Sequence, residues 1–187
     1  MPQVLKMASV IGEINTALDV YEGMYARKED AEVTIRPFPE IGSTLKRALT
    51  THIIIGCAAL FSDPDKTCGN ENMSLKNIVS KYEEKFKSDT QTLYKEIEAL
   101  VSDMNLKNFR NKHVGHFDLE ACLGYIHIQR DITVDTVREL LAKSAIFINL
   151  VIRDANLMES GHSLSYSPSI PKSRGTHEFL ERFRKNA

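Results

Sequence analysis

The sequence predicts an all-α protein, a bundle of about five or six helices followed by a mostly irregular C-terminal tail. Apolar residues recur at steps of three, four and seven over most of the chain, which is the period of a helix that buries one face. The 187 residues include only 9 Gly and 6 Pro, few for a chain of many short strands and tight turns. A chain of this length can bury a core as one domain without disulfide bonds or metals.

Two long helices are predicted in the first third of the chain. Apolar residues at helical spacing predict one helix over about residues 3–27. A connection is expected over residues 28–40, where two prolines are typical of loops and turns. A second apolar stripe over residues 41–60 predicts the next helix. We expect it to end at Asp63-Pro64, which is a turn sequence.

Capping residues define the helices in the rest of the bundle. Ser74 is a good N-cap for a helix that begins at Leu75, and Ser88 or Asp89 can cap the helix after it, which Asn105 is expected to break. Thr133 is expected to cap a helix of about 25 residues, roughly 37 Å long. Its second half is apolar on most faces, which predicts the centre of the bundle.

The composition changes after residue 158. We assign residues 1–158 to the helical bundle and residues 159–187 to a Ser/Pro/Gly-rich tail. Within this tail, a short amphipathic helix is expected to carry Phe179, Leu180 and Phe183. The apolar side of this helix would cover part of its own domain or of a partner.

The composition also limits the classes of function. A net charge of −1 is unlike a protein that binds nucleic acid over its whole surface, so any RNA contact has to come from a local patch. Three widely spaced cysteines without a CxxC pair predict reduced thiols. The longest apolar runs are too short to span a bilayer, and the N-terminus does not resemble a secretory signal. We therefore expect a cytoplasmic protein with no membrane partner.

The stretch NLKNFRNKHVGHFDLE, residues 105–120, concentrates charged and titratable side chains around one glycine. One interpretation is a solvated helix face. Another is a metal site, because His113 and His116 are three residues apart and share one face of a helix. Two histidines do not complete a zinc site, and the sequence has no HExxH motif or paired cysteines, so we expect no metal and no other cofactor.

A third interpretation is chemistry on a phosphodiester. Arg110 can meet the negative charge that develops on phosphate oxygens, and His116 can exchange a proton near neutral pH. Asn111 is suited to orient the phosphate or the imidazole. On an ideal helix Arg110 and His116 would be about 120° apart around the axis and about 9 Å apart along it. They could be brought together by a bend at Gly115 or by a second copy of the motif across a two-fold axis.

The motif RNKHVGH, residues 110–116, fits the pattern of an Arg, a polar residue and a later His that marks the HEPN superfamily. More closely, the sequence resembles the AbiU2-like HEPN branch. The support is the order of LFSDPDKTCGNENMSLKNIV, residues 60–79, then RNKHVGHFD, residues 110–118, and then a long apolar helix. The resemblance covers about residues 4–158.

The resemblance implies a HEPN-like helical bundle that forms a homodimer, with the two motifs at the interface. It also implies a metal-independent endoribonuclease of the toxin or abortive-infection type, acting in phage defence. Arg110 would bind and stabilise the scissile phosphate and Asn111 would orient it. His116 would be the general acid and base for attack by the ribose 2′-OH, giving a cyclic phosphate.

Further RNA contacts are expected from Lys107 and Lys112, whose attraction would weaken with salt, and from His113 as a second phosphate contact. HEPN toxins that pair with a nucleotidyltransferase antitoxin often carry a Tyr two residues after the motif His. Asp118 stands there, so control by modification of such a tyrosine is not expected. An antitoxin or a regulatory protein stays a candidate partner. The alternative function is a non-catalytic helical module that binds RNA or protein.

Overall fold

The computed structural model describes residues 2–115 and 132–158, with Glu178 and Glu181, but not the side chains of residues 113–115. The described part of the chain is all-α, as the sequence predicts. Its helices are α1 (Pro2–Tyr25), α2 (Lys28–Ile35), α3 (Pro39–Phe61), α4 (Leu75–Tyr82), α5 (Ser88–Met104), α6 (Leu106–Phe109) and α7 (Val134–Asp154). A 3₁₀ turn follows α4 at Glu83–Lys85, and a π-helical turn follows α6 at Arg110–Gly115. A two-stranded antiparallel hairpin, β1 (Lys66–Thr67) and β2 (Asn70–Glu71), connects α3 to α4.

The chain divides into two compact units, and helices α1 and α3 contribute residues to both. We call the part made of Met1–Ile11 and Ile54–Tyr166 the motif unit, because it contains Arg110. Its core includes the packed pair of helices α5 and α7. Phe147 of α7 is wholly buried and meets the ring of Phe86 edge to face, with the two ring centroids 5.6 Å apart. This geometry is the one that aromatic quadrupoles favour.

The second unit is made of Gly12–Ile53 and Ser167–Ala187, and its described part is residues 12–53. The buried hydroxyl of Tyr25 donates to the carbonyl oxygen of Gly42 at 3.1 Å. Helices α2 and α3 approach closely here. A Cβ atom on Gly42 would lie 2.7 Å from the carbonyl oxygen of Thr34, so a residue without a side chain is required.

Helix α2 corrects the prediction of a connection over residues 28–40. Glu29 and Asp30 lie in its first turn, where acidic side chains stabilise the positive end of a helix dipole. Arg27 also donates from Nε to Asp30 at 2.7 Å. The prolines interrupt only the residues after α2, and Pro39 is the first residue of α3, a position where proline is well tolerated.

The predicted capping residues are confirmed in three places and wrong in one. Ser74 accepts from the backbone N–H of Asn77, Thr133 forms a capping box with Thr136, and Asn105 ends α5 with a left-handed φ of 51°. The N-cap of α5 is Lys87 instead of Ser88 or Asp89, and its side chain caps nothing. Its own backbone N–H donates to the carboxylate of Asp154 at 2.9 Å, a contact between helices that local rules cannot foresee.

The tail of residues 159–187 falls outside the described residues except at Glu178 and Glu181, which are helical. Phe179, Leu180 and Phe183 of the predicted short helix are not among them, so the division at residue 158 stays a prediction. Over the described ranges, no helix combines the length and the apolar character that crossing a membrane requires.

Candidate functional site

The backbone that carries Arg110 departs from a regular helix twice within a few residues. Asn105 takes a left-handed conformation between α5 and α6, which asparagine tolerates better than most side chains. Four residues of α6 follow, and the chain then widens into the π-helical turn Arg110–Gly115. Such turns are rare in proteins overall, and those that occur often lie at functional sites. The rotation expected from an ideal α-helix therefore does not apply from Arg110 to Gly115.

Arg110 is held by two contacts. Its Nη1 donates to Oδ1 of Asp63 at 2.8 Å, and its Nε donates to Oδ1 of Asn111 at 3.2 Å. The side chains of Arg110 and Asp63 are 21% and 27% exposed, so the pair is largely withdrawn from solvent without being sealed. Charge-assisted contacts of this length orient a guanidinium strongly.

These contacts leave the guanidinium with a defined direction and spare donors. Nε and Nη1 are engaged, whereas Nη2 carries two further N–H groups that belong to neither contact. An oriented arginine with further donors can bind an oxyanion without first ordering its side chain. Oδ1 of Asn111 accepts from Nε of Arg110, and the predicted role of Asn111 in orienting the phosphate or the imidazole stays a prediction.

Asp63 is the partner of Arg110 that sequence reasoning missed. It was interpreted only as part of a turn, and it lies 47 residues before its partner. The turn itself is anchored by α4 and the hairpin. The side chains of Asn72 and Ser74 both donate to the carbonyl oxygen of Pro64, at 2.9 and 3.0 Å, and Asn77 donates to that of Asp65 at 3.0 Å.

This network gives a structural role to the polar segment between α3 and α4. Cys68 and Gly69 form the two-residue turn of the hairpin, both with positive φ, at 50° and 83°. The hairpin brings Asn72 back to Pro64, and the buried Ser74 and Asn77 hold the same turn from the start of α4. The polar segment therefore fixes the loop from which Asp63 reaches Arg110.

The other predicted site residues are described to different extents. Lys107 is exposed on α6, and Lys112 is half-buried in the π-helical turn. The backbone of His113 lies in the same turn, but its side chain is outside the description. His116 lies outside the described residues altogether. The structure thus brings Arg110 and Asn111 together and leaves the position of His116 open.

A metal centre was the weaker interpretation of the motif. Within residues 2–115 and 132–158, no group of three or more His, Cys, Asp or Glu side chains is placed to hold a metal ion. The side chains of His113 and His116, on which that interpretation depends, lie outside the described part of the structure.

A comparison with protein families identifies the chain. The family model AbiU2, a HEPN family, matches residues 10–187 and so covers most of the bundle and the whole C-terminal segment. No curated protein and no solved structure matches the chain. The family match agrees with the all-α fold and with the motif around Arg110. The chain belongs to the AbiU2 family of HEPN proteins.

Proposed function

We propose that this protein is a metal-independent endoribonuclease of HEPN type that cleaves RNA at a site shared by two chains. The observation that carries the proposal is the setting of Arg110. A half-buried arginine is oriented by Asp63 and Asn111, and within the described residues its Nη2 takes part in neither contact, which leaves donors for an anion. Family membership supports the same conclusion, because it suggests a protein of the abortive-infection or toxin type.

The proposed reaction needs charge stabilisation and proton transfer but no metal. The ribose 2′-oxygen attacks the adjacent phosphorus while His116 accepts the 2′-OH proton. The bond from phosphorus to the 5′-oxygen breaks, and that oxygen receives a proton from an imidazolium, leaving a 2′,3′-cyclic phosphate and a 5′-OH end. Arg110 stabilises the charge on the non-bridging oxygens, and Asn111 keeps its guanidinium aligned.

Two chains are proposed because each site needs an arginine and a histidine that converge. In a two-fold dimer the same surface patch meets its own copy, so Arg110 of one chain faces His116 of the other. Lys107, Lys112 and His113 add contacts to the RNA backbone on the same surface. We place this activity in the cytoplasm, in phage defence or a toxin–antitoxin system, with an antitoxin or regulatory protein as the further partner.

The activity is tested by RNA cleavage in excess EDTA between about pH 5 and 8, the range in which histidine titrates. The wild type is expected to give cyclic phosphate ends, and His116→Ala is expected to lose cleavage. His52→Ala is the matched control, because His52 is exposed on α3 and remote in sequence from the motif. Cleavage that survives His116→Ala would remove the proposed role of this residue.

The shared site is tested by mixing Arg110→Ala with His116→Ala chains. If each site combines Arg110 from one chain with His116 from the other, a mixed dimer contains one intact site. Random exchange then restores about a quarter of the wild-type activity. No recovery, with subunit exchange verified, would assign both residues to a site within one chain.

A non-catalytic interaction module is the second candidate. It is favoured by the first turns of α3 and the residue before them, where Phe38, Ile41 and Leu45 are large apolar residues exposed by 54%, 68% and 40%. Exposed apolar groups at helical spacing are typical of protein interfaces. Absence of cleavage for every RNA tested would support this function over the first.

A further inference from the structure

A cavity of about 300 Å³ lies in the motif unit, next to the segments that build the Arg110 site. Its volume is at the lower end of the roughly 300–1,000 Å³ found for small-molecule sites. It therefore fits one ring system and its substituents better than an extended chain.

The cavity and the arginine site are built by the same two stretches of backbone. Ser62 lines the cavity, and the next residue, Asp63, binds Arg110. Asn105 and Lys107 line the cavity from the other side, and Arg110 follows Lys107 by three residues, about one helical turn. Along the chain, the lining therefore comes within one residue of Asp63 and within three residues of Arg110.

The lining combines an apolar floor with an aromatic ring. Ile97 and Leu106 contribute wholly buried side chains to it. Tyr94 also lines the cavity, and its hydroxyl donates to Glu98 at 2.8 Å. Its ring packs against Phe147, with 5.8 Å between the centroids, so it is held in place. Burial, with the contact to Glu98, raises the pKa of Tyr94, which keeps the phenol neutral.

One polar atom at the cavity lacks a partner. Oγ of Ser62 is buried and has no hydrogen-bond partner within the part of the chain that the structure describes. A buried hydroxyl without a partner costs about 1–3 kcal/mol, so it is uncommon unless a ligand or water completes it. Oγ of Ser62 is closed to solvent as it is placed, so a base in the cavity meets this hydroxyl only after the side chain turns to another rotamer, where it can donate and accept.

The charge at the cavity favours a ligand attached to phosphates. Lys76 and Lys107 are exposed and belong to the lining, on α4 and α6 respectively, and Glu98 is its one carboxylate, so the lining residues carry a net positive charge. An apolar floor, an aromatic ring, a hydroxyl and two cations match the way single-stranded RNA is bound, with the base buried and the backbone held by lysines.

We propose that this cavity holds an extruded base of single-stranded RNA, next to the phosphate bound by Arg110. This deepens the proposed ribonuclease function and rests on it: the substrate is a single strand or a loop, because a base within a duplex cannot enter. The base fixes the register of the strand, so the cavity determines which phosphate reaches Arg110.

The test measures binding of RNA and leaves cleavage aside. The full-length chain carrying His116→Ala is titrated with a fluorescent single-stranded 12-nucleotide RNA at one fixed salt concentration. Ser102→Trp, at an exposed position of the lining, fills the cavity from α5, and we expect it to weaken binding about tenfold or more. Thr92→Trp is the matched control, exposed on the same helix and outside the lining.

A second arm varies the RNA, and its first measurement uses the chain that carries His116→Ala alone. A series of the same RNA with one base removed at each position in turn should show one position whose loss weakens binding about tenfold. In the Ser102→Trp chain the same base removal should have little further effect. The fully paired duplex should bind more weakly than the single strand.

The outcomes separate this proposal from the function on which it rests. If the wild type cleaves RNA, but binding is unchanged in Ser102→Trp and equal for every base-removed RNA, the cavity proposal is wrong and the ribonuclease stands. If the chain neither binds nor cleaves any RNA, both are wrong.

Discussion

Two arginine–aspartate pairs in the motif unit have similar bond lengths and different surroundings. Arg153 of α7 donates from Nη1 and Nη2 to both carboxylate oxygens of Asp89 at 2.9 Å, and from Nε to Asp154 at 2.7 Å. Arg110 meets one oxygen of Asp63 and the amide oxygen of its neighbour Asn111. Among the described residues, the first arginine has carboxylates on all three of its nitrogens, and the second has a carboxylate on one.

Asp154 makes the Arg153 cluster a structural joint. Its side chain is wholly buried, and besides Arg153 it accepts from the backbone N–H of Lys87 at 2.9 Å and from Oγ1 of Thr90 at 2.6 Å. Burial alone would raise the pKa of Asp154, but these hydrogen bonds and the charge of Arg153 lower it to about 2. The cluster therefore fastens the start of α5 to the end of α7.

The two arginines differ in how many of their donors carboxylates engage, and we use this difference to propose a role for each. Arg153 is committed to two carboxylates, and its hydrogen bonds to them raise its pKa. Arg110 is positioned by its contacts and keeps Nη2 outside them. We therefore propose that Arg153 stabilises the fold and that Arg110 serves function, and four changes test this division.

The largest effect is expected from Asp154→Asn. An amide cannot accept from three donors as a carboxylate does. The change also leaves Arg153 without one of its two negatively charged partners. Removal of one partner of a buried ion pair costs about 3–5 kcal/mol. Because asparagine keeps a polar group of the same size in place, we expect the free energy of unfolding to fall by about 3 kcal/mol. Urea unfolding measures it. Asp103→Asn, at an exposed position of α5, is the control and should change stability by less than about 0.5 kcal/mol.

The paired changes Arg110→Lys and Arg153→Lys should separate function from stability. Lysine keeps the charge but not the planar fork of donors. Arg110→Lys is expected to lower RNA cleavage about 100-fold, because an oriented donor is lost in the transition state. Arg153→Lys should retain activity and lose about 1–2 kcal/mol of stability. If both variants lose mainly stability, the division between the two arginines is wrong.

Asp63→Ala is expected to have a smaller effect on the reaction. Removal of the carboxylate releases Nη1 of Arg110 and lets the guanidinium turn, which should lower cleavage about 10-fold. The pair is partly exposed, so the loss of stability should stay below about 1 kcal/mol. Asp65→Ala, in the same turn, is the control. An increase in cleavage would mean that Asp63 restrains the arginine by competing with phosphate.

The last effect concerns pH. Because the pKa of Asp154 is about 2 in the folded state and about 3.9 in an unfolded chain, the unfolded chain binds more protons between these values. The stabilisation by Asp154 is therefore complete above about pH 5 and declines as pH falls toward 2. The difference in unfolding free energy between wild type and Asp154→Asn should narrow over this range. A constant difference would show that the carboxylate does not titrate there.

The parts of the structure that local rules govern could be predicted from the sequence. Ser74, Thr133 and Asn105 were identified as helix ends because capping depends on neighbours within four residues. The hydrogen bond between Arg110 and Asn111 was not predicted, although the two residues are adjacent, because neighbours in the chain need not bond through their side chains. Asp63 could not be found in this way, because its pairing depends on how α3 and α6 pack.

Other departures have equally specific causes. Helix α2 was missed because the two prolines were taken to indicate a loop over all of residues 28–40. A proline restricts only itself and the residues next to it, so it does not prevent a helix that ends before it. The N-cap of α5 was misassigned because the contact that fixes Lys87 comes from Asp154, 67 residues away. In each case a local signal was correct at short range and was applied beyond it.

Gly42 has a consequence for the evolution of this family. A side chain there would meet two backbone atoms, the carbonyl oxygen of Thr34 at 2.7 Å and Cα of Ile35 at 2.9 Å, neither of which can rotate away. Homologues that keep the tight corner between α2 and α3 should therefore keep glycine at this position. A homologue with any other residue there must have opened or lengthened the corner, so this single letter in a sequence indicates which members share the local geometry.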